Sequence, residues 1–254
     1  VRGALPAGAR TVAIVGSRAA TAYGLERAGR LAADLARLGL VIVSGLARGI
    51  DAAAHRGALE AGGVTVAVLP GGLDAITPPF HAGLAARIAR RGALVSEWPG
   101  AHAAKRGLFV RRNRLIAALA QATVVVEAAE RSGALSTALV ARRLGRPLLA
   151  VPGDVDRVTS RGCNALLREG ARFCENAADV LRVLPAASAA EPAESDEARL
   201  AAALAESPLP AETLAALAGV AIDRALAGLL RLEWAGAAAA HPGQRWSKRA
   251  GPAA

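Results

Sequence analysis

The chain has 254 residues, of which 53% are hydrophobic and only 3% aromatic; that length allows a large domain plus a small one, and alanine rather than membrane-grade side chains swells the apolar fraction. No uncharged apolar run reaches the roughly 18 residues a spanning helix needs, which argues against a membrane protein. The formal charge of +10 is uneven: residues 1–184 hold 25 basic and 13 acidic side chains, against 6 and 8 in residues 185–254, so the cation excess of the first part either draws polyanions or serves solubility.

The opening VRGALPAGAR has no apolar signal core, which points to the cytoplasm, and the absence of methionine predicts that the chain starts inside a longer protein. Short β-branched runs then alternate with alanine-rich amphipathic stretches: TVAIVG and 22–38, LVIVSG and 48–61, VTVAVLP and 81–91, ALVSE, TVVVEA and 133–144, PLLAVPG. The strand candidates are apolar without alternation, so both faces are covered. This predicts an α/β fold with a doubly wound, mostly parallel sheet, whose ligands sit beyond the carboxyl ends of the strands. Cys163 and Cys174 are too few and too far apart for a metal knuckle and are expected to be packing residues. Residues 185–196, PAASAAEPAESD, read as a linker. Helical stretches near 197–206, 210–218 and 221–231, followed by LEWAG and the turn HPGQRW, read as a small winged-helix domain over 197–254.

The chemistry is concentrated at the predicted strand ends. Gly16, Ser17 and Arg18 follow the first strand and precede a helix, where a glycine, a helix amino end and a guanidinium would seat an anion; a tight turn with an exposed arginine is the other reading. The spacing is not GxGxxG, so no dinucleotide cofactor is expected. Ser44 and Arg48 lie at the next strand end, and Asp51 and His55, four apart, could pair to orient that loop. Lys105 and Arg106 lead into FVRRNRLIAALA, where Phe109, Arg111, Arg112, Asn113 and Arg114 are expected just before an apolar helix, held on a rigid mount. Guanidinium forks grip phosphates, an aromatic face stacks on an unpaired base and an amide reads a base edge; Phe109 could equally be a core aromatic. Ser132, Gly133 and Thr137 lie in a second turn that either cradles phosphate or caps its helix. Together these features predict a single-stranded nucleic-acid site.

The ordered set VAIVGSR, SGLARGIDAAAH, AVLPGGLD, SEWP, FVRRNRLIAALA, VVVEAAERSGALSTA, GRPLLAVPG and GCNALLREGA closely resembles the DNA processing protein A (DprA/Smf) family over about residues 10–184, and the tail is similar to that family's winged-helix domain. The resemblance implies a Rossmann-like, non-catalytic protein. It would bind incoming single-stranded DNA, protect it and load the RecA recombinase during natural transformation, displacing or working beside single-strand-binding protein. It places DNA contacts at Gly16, Ser17, Arg18, Lys105 or Arg106, Phe109, Arg112, Asn113, Arg114, Ser132, Gly133 and Thr137, and a homodimer contact near Leu166 and Leu167. Val110 stands where the family usually has proline, Ser136 where isoleucine or leucine is common, and Thr77-Pro78 replaces Tyr-Pro.

A rival reading is a nucleotide-cleaving enzyme of the phosphoribohydrolase type. Its PGGxGT loop is absent, because PGG at 70–72 continues into Leu-Asp-Ala. A protein scaffold acting through the acidic tail is a third.

Overall fold

The computed structural model describes residues 1–4, 8–185, 196–243 and 245–249, and divides into two units, Val1–Ala187 and Ser188–Ala254. Most of the expected linker lies outside the described residues.

The first unit runs β1 (Arg2–Gly3), β2 (Thr11–Val15), α1 (Ala22–Arg37), β3 (Val41–Ser44), α2 (Ile50–Glu60), β4 (Thr65–Val68), α3 (Ala82–Arg91), β5 (Ala93–Val95), α4 (Arg106–Leu119), β6 (Ala122–Val125), α5 (Ala134–Arg143), β7 (Leu148–Ala150), α6 (Arg161–Arg168), β8 (Arg172–Phe173) and α7 (Ala177–Val183). Its sheet has eight strands in the order β1-β5-β4-β3-β2-β6-β7-β8. All neighbours are parallel except β1, which pairs antiparallel with β5 (Arg2 opposite Leu94). The expected doubly wound sheet is therefore present. After the edge strand β1 the chain enters the middle of the sheet at β2, walks outward through β3, β4 and β5, then returns across the sheet through α4 to place β6 on the other side of β2. The carboxyl ends of β2 and β6 thus flank the point where winding reverses, and there the connections splay apart and leave a crevice.

Val12, Ile14, Ile42, Val124 and Leu149 pack on one face of the sheet against Leu31 and Leu35 of α1 and Val180 of α7. Ala67, Leu69 and Leu94 pack with Leu84 and Ile88 of α3 in a separate cluster. Each such aliphatic side chain, fully buried, contributes about 1.5–3 kcal/mol. Helices α1 and α2 cross closely because both present glycine: a Cβ on Gly57 would lie 2.1 Å from the carbonyl oxygen of Gly29. The thiols of Cys163 and Cys174 are both buried and free, and burial pushes each up to about 12. Both are packing residues, as expected. Leu166, expected near a homodimer contact, is instead turned into the fold from α6, whereas Leu167 is only partly covered.

The second unit holds α8 (Asp196–Ala203), β9 (Leu209–Pro210), α9 (Ala211–Ala218), α10 (Ile222–Trp234), β10 (Ala238–His241) and β11 (Arg245–Lys248). Leu200, Leu214, Leu229 and Trp246 form its core. Three helices and an antiparallel hairpin, with β9 added to β11, give the winged-helix arrangement. Among the described residues no single helix is long and apolar enough to cross a membrane.

Candidate functional site

The basic run does not precede a helix, as the sequence suggested; it is one. Arginine, leucine and alanine are good helix formers, and the return from β5 to β6 crosses the sheet, so the element begins at Arg106 with Lys105 as its N-cap residue. Helical spacing then separates neighbours in sequence onto different faces. Phe109 and Asn113, four apart, share one face, while Arg112 points into the protein.

Arg112 is therefore not a surface contact. It is only 4% exposed and donates to the carbonyl of Val68 at the end of β4. Its guanidinium lies so close to Gly45 that a Cβ there would sit 2.0 Å from Nη1. Burial lowers it to about 10, the nearby Asp51 carboxylate opposes that fall and Arg18 adds to it, so Arg112 stays charged at neutral pH. Burial likewise raises Asp51 from the ordinary carboxylate range, against the pull of Arg112 and of the backbone amides of Ala47 and Gly45. The pair is a buried strut beneath the 44–49 loop.

That loop is held from several directions. Ser44, expected at the site surface, is fully buried and donates through Oγ to the Ile14 carbonyl at 2.6 Å. Leu46 takes a positive φ of 58°, a conformation costly for a branched side chain and stable only when its surroundings over-determine it. His81 donates from Nδ1 to the Leu46 carbonyl at 2.9 Å. Asp51 does orient the loop, by accepting from the Ala47 amide at 3.4 Å, but His55 is not its partner. The Thr65 hydroxyl donates to Ile42, so His55 must donate from Nδ1 to Thr65 Oγ1, 2.7 Å away. Burial, with the charge of Arg112, lowers His55 to about 3, so it is neutral.

The 44–49 loop in turn clamps the turn after β2. Arg48 Nε donates to the Arg18 carbonyl at 3.2 Å, and Ile50 N to the Ser17 carbonyl at 3.2 Å. Gly49, with φ of 88°, allows this approach, since a Cβ would lie 2.2 Å from Ser17 O. The Arg18 guanidinium is thereby placed over the Phe109 ring, 4.6 Å from its centroid. Phe109 is half-buried rather than a core aromatic, and Arg18, Arg48, Lys105 and Arg106 are exposed around it.

One turn further along α4, Asn113 Nδ2 donates to the Gly133 carbonyl at 3.1 Å and to Ser136 Oγ at 2.8 Å. Ser136, where the resemblance leads one to expect an aliphatic side chain, thus ties the 132–136 turn to α4. Thr137 is buried on the inward stripe of α5 with Ala134, Ala138 and Ala141, and cannot reach a phosphate. Ser132 Oγ accepts from the Ala134 amide at 3.3 Å, the helix-capping alternative. Arg114 is exposed but ion-paired with Glu97. Arg18 meets Phe109, and Asn113 on the same helix holds the 132–136 turn, whereas Ser44, Arg112 and Thr137 are buried.

The α1 amino end is not an open anion seat either. Glu127, at the end of β6, is 6% exposed, and its Oε2 accepts from Thr21 N at 3.0 Å and Thr21 Oγ1 at 3.1 Å. The Ser17 amide is spent on the Glu127 carbonyl at 2.6 Å. The Glu127 side chain already occupies the helix end. Sequence reasoning missed Glu127 because the EAA of a strand end carries no spacing signature. It also left Trp98 out of the site, though the Arg111 guanidinium lies 5.5 Å from its ring centroid and His102 stacks on it at 4.3 Å. Among the described residues no group of three or more His, Cys, Asp or Glu side chains is placed to hold a metal.

The family model for DNA recombination-mediator protein A matches residues 1–185, and that for the DprA winged helix domain matches residues 184–244. The chain belongs to the DNA processing protein A family. Protein Smf of Escherichia coli is 41% identical over 248 residues, covering 91% of this chain and 66% of its own length. A Mycobacterium tuberculosis relative is 52% identical over 172 residues, 68% of this chain and 44% of its own length; the chain therefore spans between about two fifths and two thirds of these two family members. Among solved structures, DNA processing protein A of Streptococcus pneumoniae is 39% identical with a TM-score of 0.67, over 70% of this chain and 62% of that one. The Helicobacter pylori family member, described for its single-stranded DNA binding mode, is 34% identical with a TM-score of 0.63, over 68% and 79%.

Proposed function

We propose that the chain binds single-stranded DNA across the crevice at the carboxyl ends of β2 and β6, and that it acts in the cytoplasm as a homodimer. In this reading it protects incoming DNA and loads the RecA recombinase during natural transformation, displacing or working beside single-strand-binding protein, and it binds rather than cleaves. The observation that carries the reading is Arg18 stacked at 4.6 Å on Phe109, ringed by exposed Arg48, Lys105 and Arg106. A planar cation on a half-exposed ring offers a phosphate partner and a stacking face within one nucleotide's reach. Gly16, Ser17, Ser132 and Gly133 would line the same trough, while Ser44, Arg112, Asn113 and Thr137 hold it and Arg114 would engage only by exchanging Glu97 for phosphate.

Fluorescence anisotropy of a labelled oligothymidine, titrated at several salt concentrations, tests this. Affinity falls steeply with salt, and Arg18→Ala weakens binding and lowers the log–log slope by about 0.7, the counterion contribution of one single-strand phosphate. Salt-insensitive binding, or preference for duplex, contradicts the reading.

A further inference from the structure

The turn between β5 and α4 carries a second pairing of aromatic and cation, separate from Arg18 and Phe109. Trp98 and His102 lie ring on ring, 4.3 Å between centroids and 10° between planes, and the Arg111 guanidinium is held over the Trp98 ring at 5.5 Å. The backbone fixes this stack. Ser96 Oγ accepts from the Trp98 amide at 3.0 Å and donates to the Gly71 carbonyl at 2.6 Å, while the Gly72 amide donates to the His102 carbonyl at 2.8 Å. A Cβ on Gly72 would lie 2.0 Å from the Gly100 carbonyl oxygen, so glycine there lets the two turns pack backbone to backbone.

An aromatic side chain that serves packing alone gains most from full burial, yet Trp98 and His102 are only partly covered and Arg111 is exposed. Arg111 also lacks what its neighbour has. Glu97, the one acidic residue between β5 and α4, is ion-paired with Arg114, and among the described residues no carboxylate meets Arg111. A guanidinium held over a ring keeps its N–H edge for an oxyanion. The amino end of α4 has the same need: no side chain caps it and its first turn holds no acid, whereas Lys105 and Arg106 stand there exposed. Arg111 follows Phe109 by two residues, about 200° around the helix. The two aromatic stations therefore stand on different sides of α4, with Lys105 and Arg106 at its tip. A helix is about 10 Å across, a distance an unpaired strand covers within a few nucleotides.

We infer that Trp98, His102 and Arg111 form a second station for the same unpaired strand, in which one base adds to the Trp98–His102 stack and the adjoining phosphate takes Arg111. The inference rests on the single-strand reading above and extends the strand's path across the amino end of α4. Stacking uses the π-face that every base has, so this station holds DNA without reading its sequence. A duplex, whose bases are already stacked on one another, has no base to offer it.

Intrinsic fluorescence tests this directly, because Trp98 is the one tryptophan of the first unit, the other two being Trp234 and Trp246. Oligothymidine saturating the full chain should quench the emission, and duplex of the same length should not. Trp98→Phe should remove that quenching and keep most of the affinity, whereas Trp98→Leu should weaken binding by roughly tenfold, the size of one base–aromatic stack. Arg111→Ala should lower the log–log salt slope by about 0.7. Thermal unfolding verifies the fold of each variant, and Trp98→Phe and Arg111→Ala carry the test if Trp98→Leu unfolds. Tight strand binding by wild type with unchanged tryptophan emission, equal quenching by duplex, or wild-type affinity and salt slope in both Trp98→Leu and Arg111→Ala would overturn the station and leave the single-strand reading intact. Absence of strand binding by wild type would remove that reading, and the station with it.

Discussion

Replacing Arg112 with methionine separates a structural strut from a DNA contact. The guanidinium is 4% exposed, donates to the Val68 carbonyl and offsets the charge of Asp51. Methionine fills similar space but leaves Asp51 without a nearby cation and the carbonyl without this donor. Leaving a buried carbonyl without its donor costs about 1–3 kcal/mol, so the urea midpoint of the first unit should fall clearly. Adding Asp51→Leu removes the carboxylate that the Arg112 charge acts on, and a double-mutant cycle reads their electrostatic coupling, roughly 0.5–3 kcal/mol. Because Arg112 meets no phosphate, the salt slope of DNA binding by the folded double variant should match wild type. Wild-type stability in Arg112→Met, together with a lowered salt slope, would refute the strut and restore Arg112 to the surface.

Gly45→Ala should destabilise by about 1–3 kcal/mol, because its Cβ would sit 2.0 Å from the Arg112 guanidinium; chemical denaturation reads this, and a change within error would show that the guanidinium can move aside cheaply. Asn113→Ala should free the 132–136 turn, seen as faster amide exchange there with the fold retained, since both of its side-chain bonds to that turn are lost. For His55, lowered to about 3 from 6.5, the unfolded chain binds the extra proton between those values. Its contribution is therefore complete above pH 6.5 and shrinks as pH falls toward 3. His55→Leu should flatten this part of the stability–pH curve, while the raised Asp51, which favours the folded state in acid, works in the opposite sense and remains.

The sheet was legible because unalternating runs such as TVAIV and VIVS can only be strands covered on both faces, and their order with intervening helices leaves little topological freedom. Helix α4 was only half legible: its basic first half hid helical periodicity, since Arg112 faces inward where charge is not expected and Phe109 only partly outward. Ser44 and Thr137 misled for a related reason. A hydroxyl at a strand end or helix start looks the same in sequence whether it faces solvent or satisfies a carbonyl beneath. Asp51 and His55 were paired by spacing alone, whereas β4, distant in sequence, supplies the Thr65 that His55 needs. Glu127 was invisible because its meaning depends on Thr21, brought beside it only by the adjacency of β2 and β6.

Photocrosslinking of a 5-iodouracil-substituted single strand, followed by peptide mapping, tests the central claim most directly. Adducts should map to Phe109 and to the peptides holding Gly16–Arg18 and Ser132–Gly133, and should fade with added salt. Adducts confined to residues 196–249, or spread over the first unit without these peptides, would contradict a binding trough at the β2–β6 crevice.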